Sequence, residues 1–193
     1  MDIKKGLPQK YYGSAADLVL SSLGEKFYPI LGRKDKARQL LSSSINPDNC
    51  ISVVHEGDLL GILAFQTGTK TFLNPSFSMI TSLYGFVPGT LKALGLSLLE
   101  HITIPGEIYV EAVAVSESVR GKGIGTQLFR SFFRLAKEND YKEITLYVIG
   151  SNKRAKALYE RLGFETRKIE KIWPLNWILG WPFDEVCLMR KKN

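Results

Sequence analysis

At 193 residues, 45% of them hydrophobic and 23% charged, the chain is long enough for one well-buried core and short for two, so a single domain over residues 1–193 is expected. A formal charge of +7 suits nucleic acid, anionic lipid or a phosphorylated small molecule alike, and only its distribution can choose among them. Cys50 and Cys187 are far apart, and the remaining soft ligands are His55 and His101, which excludes a zinc site or a Cys/His nucleophile, so no metal is expected.

Residues 1–12 are polar and hold no apolar run of the secretory kind, which makes the cytoplasm the default location. Residues 14–23 and 35–44 carry apolar side chains at helical spacing (Ala16, Val19, Leu20, Leu23; Ala37, Leu40, Leu41) behind polar starts at Ser14 and Asp35. Residues 51–55 and 59–65 are β-branched-rich runs around Glu56-Gly57-Asp58, the pattern of a hairpin. Between 72 and 103 the pattern is broken by Pro75, Gly85, Pro88 and Gly89, and its best helical piece runs over about 90–101. This segment reads as an irregular, helix-containing insertion.

A strand over 108–115, an amphipathic helix over 125–139, a strand over 144–149 and a helix over 152–162 capped by Gly163 then make a βαβ unit. Residues 164–171 and 185–191 complete the strands. Between them lies a Trp-rich connection over 172–183, whose two prolines and short length exclude a transmembrane helix, which needs roughly 20 apolar residues. No helix-turn-helix and no platform of interleaved basic and aromatic residues is present, so no nucleic-acid partner is expected.

The turn between strand and helix in the βαβ unit is Arg120-Gly121-Lys122-Gly123-Ile124-Gly125-Thr126. Alternating glycines let backbone N–H groups converge, and the N-terminus of the following helix adds roughly half a positive charge at the same point, which makes a pyrophosphate site. Thr126 stands where a dinucleotide fingerprint needs glycine or alanine, and the Gly-Lys-Ser/Thr of a Walker loop is missing. A surface turn whose glycines only start a helix is the plain alternative.

These residues resemble the GNAT superfamily of acetyl-CoA-dependent N-acetyltransferases. Its Arg/Gln-x-x-Gly-x-Gly/Ala signature is matched by Arg120 to Gly125, preceded by Val113-Ala114-Val115 and followed by Asn152 to Ala155, Leu158-Tyr159-Glu160 and Gly163-Phe164. The resemblance is clear over 107–171. It implies an α/β fold with a central mixed, twisted sheet flanked by helices, here with an extra helical insertion between strands 3 and 4. It also implies that the cofactor arm enters between the two parallel strands along Val113, Ala114 and Val115. The pyrophosphate would lie on Gly121 to Thr126 beside Arg120 and Lys122, and Asn152 would touch the cofactor, with Lys153 and Arg154 near its phosphates or simply solvated.

Under that resemblance acetyl-CoA is the co-substrate and a small-molecule or peptide amine the acceptor. Tyr159 is the candidate acid for the departing thiolate, since a phenol of pKa about 10 is protonated at neutral pH. It also lies on an apolar helix stripe, where an ordinary core tyrosine belongs. Glu111, a carboxylate in mid-strand, is the candidate base, with Glu107 as its alternative and a plain ion pair as the competing explanation. Backbone near Val113 is placed to serve as oxyanion donor, and direct transfer is expected because no nucleophile motif is present. Tyr147 stands where ribosomal-protein N-terminal acetyltransferases resemble one another in having glutamate, which argues against that acceptor. The insertion and Trp173, Trp177 and Trp181 suggest an acceptor with an apolar portion; packing of these segments on each other or in a homodimer is the plainer explanation. A coenzyme A-binding module without turnover is the rival class.

Overall fold

The computed structural model describes residues 1–32 and 34–193. Seven strands, β1 (Asp2–Lys5), β2 (Cys50–His55), β3 (Asp58–Gln66), β4 (Glu107–Val115), β5 (Glu143–Ile149), β6 (Glu165–Lys171) and β7 (Glu185–Lys192), form one sheet in the order β1-β2-β3-β4-β5-β7-β6. The β4–β5 pair is parallel and the other neighbours are antiparallel, giving the mixed sheet that the sequence leads one to expect. β1 is absent from the sequence reading because Asp-Ile-Lys-Lys has no apolar alternation. Charge there blunts an exposed sheet edge, and the largely charged β6 does the same at the other edge.

Helices cover both faces. On one lie α1 (Tyr12–Leu31), α2 (Lys34–Ser43), α3 (Phe77–Tyr84) and α4 (Phe86–Ser97), with a core of Ala16, Leu20, Leu31, Leu41, Ile62 and Phe72. On the other lie α5 (Ile124–Glu138) and α6 (Lys153–Arg161), whose core is built on Leu128, Phe129, Phe132, Ile108 and Leu146. Helix α1 runs eight residues past the expected end at Leu23. Gly24 and Pro29 lower its intrinsic helicity by about 1 and 3 kcal/mol, but burial of Phe27, Ile30 and Leu31 outweighs that, and the helix is kinked at Leu23.

The insertion is two helices, not one. Ser76 Oγ caps α3 by accepting from Met79 N–H at 3.2 Å, and α4 starts at Phe86 because Pro88 falls in its first turn, where no N–H is required. A side chain at Gly89 would come within 2.8 Å of Thr81 Cα, and one at Gly95 within 2.9 Å of Ile30 Cγ2, so these glycines set how closely α4 packs on α3 and α1. Lys92 Nζ donates to Ile30 O (2.7 Å) at the end of α1. The Trp-rich connection contains the short α7 (Leu175–Leu179) and is pinned to the same part of α1 by Trp181, whose Nε1 donates to Lys26 O at 3.0 Å. Trp181 is buried and stacked on Phe183, whereas Trp173 and Trp177 are 78% and 83% exposed, so the three tryptophans do not form one surface. Among the described residues no helix is long and apolar enough to cross a membrane.

Candidate active site

The site begins where two strands part. β4 and β5 pair from Glu107↔Glu143 to Val110↔Leu146 and no further, although β4 continues to Val115 and β5 to Ile149. β5 stays paired to β7 as far as Ile149↔Val186, so the opening lies between the two parallel strands alone. The cleft there has a volume of ≈ 1220 Å³ and runs from the start of α5, past the splayed strands, to α1 and the end of the insertion.

A bulge shapes the β4 wall. Ala64 pairs with Ala112 but Phe65 with Val110, which leaves Glu111 as the extra residue. In consequence Ile108, Val110, Val113 and Val115 face the α5 core, whereas Ala112 and Ala114 face the α1 core. Glu111 Oε1 accepts from Phe72 N–H at 2.9 Å, on the side of α1 and the insertion. Burial pushes its carboxyl up to about 7 against the opposing pull of the Phe72 and Leu73 N–H groups and of Lys26. Burial in turn lowers Lys26, on the facing turn of α1, against the attraction of Glu111. The sequence offers no sign of Lys26, since its partner is brought to it only by the bulge.

At the opposite end, the first intrahelical bond of α5 is made by Gln127 N–H to Gly123 O (3.0 Å). The N–H groups of Ile124, Gly125 and Thr126 precede it, and Gly123 offers no capping side chain. Free backbone donors at the start of a helix suit an anion. Gly121 and Gly123 sit at φ +84° and +81°, where a side chain is strained although nothing crowds it. Gly123→Val is therefore expected to turn the loop away and weaken coenzyme A binding by about tenfold or more, measured by calorimetry, with the strain of about 1–2 kcal/mol also lowering Tm by a few degrees.

Arg120 lines the cleft, its guanidinium held by Glu117 Oε1 (2.9 Å) and Val115 O (3.2 Å). Lys122 departs from expectation: its N–H is spent on Val119 O (3.3 Å) and its side chain lies outside the cleft lining. Ala114 turns its methyl into the α1 core, so its backbone alone is available to the gap. Asn152 caps α6, its Oδ1 accepting from Ala155 N–H at 3.0 Å, and lines the cleft with Arg154, whereas Lys153 does not. Tyr159 wedges its ring between Phe129 and Phe164 (centroids 5.7 and 6.0 Å) and also lines the cleft. Burial pushes its phenol up to about 12, so the neutral, proton-bearing form is the one present.

Glu107 occupies a different place from Glu111. Buried beneath the paired part of β4, it accepts from Thr145 Oγ1, from Ile104 N–H (2.9 Å) and from His101 Nε2 (3.0 Å). Burial alone would raise its carboxyl, but these donors hold it below the usual range. His101 in turn stacks on Tyr109 at 4.2 Å, and burial raises the Tyr109 phenol. Tyr147 borders this cluster and donates to Glu170 at 3.3 Å. His101 is thus an oriented imidazole on the cleft wall, unforeseen because it lies at the end of an irregular insertion.

Charge divides the cleft. Arg120, Arg154 and Arg161 line the end near α5 and α6, and Glu25, Glu100 and Glu111, with Lys26 as the one cation among them, the end near α1 and the insertion. An anionic donor and a cationic acceptor would each meet the opposite sign.

A mixed sheet opened between parallel strands over a glycine-rich helix start defines an acyl-coenzyme A transferase type of fold. Residues 19–164 match the profile of the Acetyltransferase (GNAT) family, and the chain belongs to that family. It is 28% identical over 113 residues to a probable N-acetyltransferase family 8 member 5 of Mus musculus, covering 58% of this chain and 49% of the other. The chain spans about half the length or less of the curated relatives it matches. An N-acetyltransferase from Staphylococcus aureus Mu50 superposes with a TM-score of 0.68 at 16% identity, over 99% of this chain and 100% of that one. A Bacillus subtilis acetyltransferase solved in complex with coenzyme A superposes at 0.56 and 16% identity, over 100% and 97%.

Proposed function

We propose that the chain is an acetyl-CoA-dependent N-acetyltransferase acting directly on an amine. The observation that carries the reading is the opening between β4 and β5, which leads from the free N–H groups of Ile124, Gly125 and Thr126 to a carboxylate at the β4 bulge. The donors at α5 and the arginines beside them fit a pyrophosphate, and the gap between the strands fits a thin arm with amide groups of its own. Bound acetyl-CoA supplies the thioester. Gly121, Gly123 to Thr126 and Arg120 hold its phosphates, the backbone of Val113 to Val115 pairs with its arm, and Asn152 closes the far wall.

Glu111 takes the proton that the amine loses as its nitrogen bonds to the carbonyl carbon, directly or through one water. A β4 N–H near Val113 supports the carbonyl oxygen as it gains charge. Tyr159 gives its proton to sulfur as the carbon–sulfur bond breaks, and the products are the amide and coenzyme A. Thiol release from acetyl-CoA is expected with simple primary amines or peptide amines and absent without them. Binding of coenzyme A without thiol release across the amine panel would make the chain a binding module; no binding at all would overturn the donor assignment too.

A further inference from the structure

A second cavity of ≈ 680 Å³ lies between α1 and the insertion, walled by Val19, Leu23, Phe27, Phe72, Ile80 and Leu96. It shares Lys26, His101, Tyr109 and Glu111 with the main cleft, so the two meet at the bulged carboxylate. From this junction we infer that the second cavity is a tail subsite, and that the acceptor is a primary amine carrying an uncharged alkyl or arylalkyl chain. The inference rests on the transfer site proposed above.

Three features carry it. The walls are contributed by the insertion and by α1, and neither takes part in holding a donor. The charged side chains of the lining, Lys26, Glu100 and Glu111, all border the main cleft as well and so stand at the junction. Beyond it, Gln66, Thr71 and Thr103 have spent their donors within the chain, Gln66 Nε2 on Gly68 O and His101 O (2.9 and 3.0 Å), Thr71 Oγ1 on Leu73 O (3.0 Å) and Thr103 Oγ1 on Gly68 O (3.1 Å). A tail with its own charge would lose its hydration there and gain no partner. Finally, Glu111 borders both spaces, so an ammonium group beside it faces the opened strands while its substituent points under the insertion.

The test compares butyl-, hexyl- and octylamine, equal in charge, as acceptors at saturating acetyl-CoA. kcat/KM is expected to rise about two- to fourfold per added methylene, as burial of hydrocarbon requires, and hexylamine to be preferred over 1,5-diaminopentane. Ala93→Phe, which fills the cavity from α4, and Thr69→Trp, which fills it from the exposed opposite rim, are expected to flatten this slope while butylamine stays within about twofold. A wild-type slope of zero, or one unchanged in both variants, overturns the subsite even if every amine is acetylated. Calorimetric binding of the same amines to the coenzyme A-loaded protein separates the two proposals. Length-dependent binding without turnover keeps the subsite and sinks the transfer reading; binding that is absent or insensitive to length sinks the subsite.

Discussion

Tyr159→Phe is expected to lower kcat by about 100- to 10,000-fold, the range for loss of a positioned proton donor, while the dissociation constant for acetyl-CoA stays within about twofold. The substitution keeps the ring between Phe129 and Phe164 and removes only the hydroxyl, so Tm should hardly move. A phenol raised to about 12 is a poor donor to a thiolate near 8.5 on the cysteine scale in water, but the same loss of water raises the proton affinity of a thiolate in the cleft. The raised value also implies that no basic fall in kcat below about pH 11 originates at Tyr159. Stopped-flow thiol detection together with calorimetry checks both halves. An unchanged kcat would return Tyr159 to the role of a core aromatic.

Glu111→Gln carries the second large effect. Its carboxyl titrates at about 7, so wild-type kcat/KM is expected to climb as pH rises through 7 and the base form appears. In the variant kcat/KM should fall about 100-fold or more and lose that acid limb. Stability should move the other way. A carboxyl raised in the folded state from about 4.5 binds more protons folded than unfolded between 4.5 and 7, so it costs stability as pH rises through that window. Glutamine does not titrate and still accepts from Phe72 N–H, so the variant is expected to melt above wild type beyond pH 7. A limb that survives Glu111→Gln and disappears in His101→Asn would move the base to the imidazole held by Glu107.

Much of the donor half is legible in the sequence because its chemistry is local. Gly121, Gly123 and Gly125 announce a backbone conformation, and Leu128 and Phe132 announce the buried stripe that fixes it. The acceptor half is not local. Glu111 stands out only as a carboxylate in an apolar strand, and nothing in residues 108–115 tells that one extra residue is accommodated there or that Lys26 faces it. The full length of α1 is hidden by Gly24 and Pro29, and the start of α4 by Pro88, because burial decides those helices against local preference. β1 is hidden for the opposite reason, being polar enough to protect an edge.

Beyond Val110 and Leu146 the sheet contains two strand edges that face each other across its interior. Open edges ordinarily invite a strand from another chain, which is how sheets aggregate. Here α5 and α6 wall one side and α1 the other, so the gap is enclosed on both faces of the sheet. On the function proposed above, what enters is a slender arm that carries amides but no side chains. An opening of this kind would sort its visitors by cross-section, and the shape proposed to admit the donor would also keep the molecule from templating copies of itself.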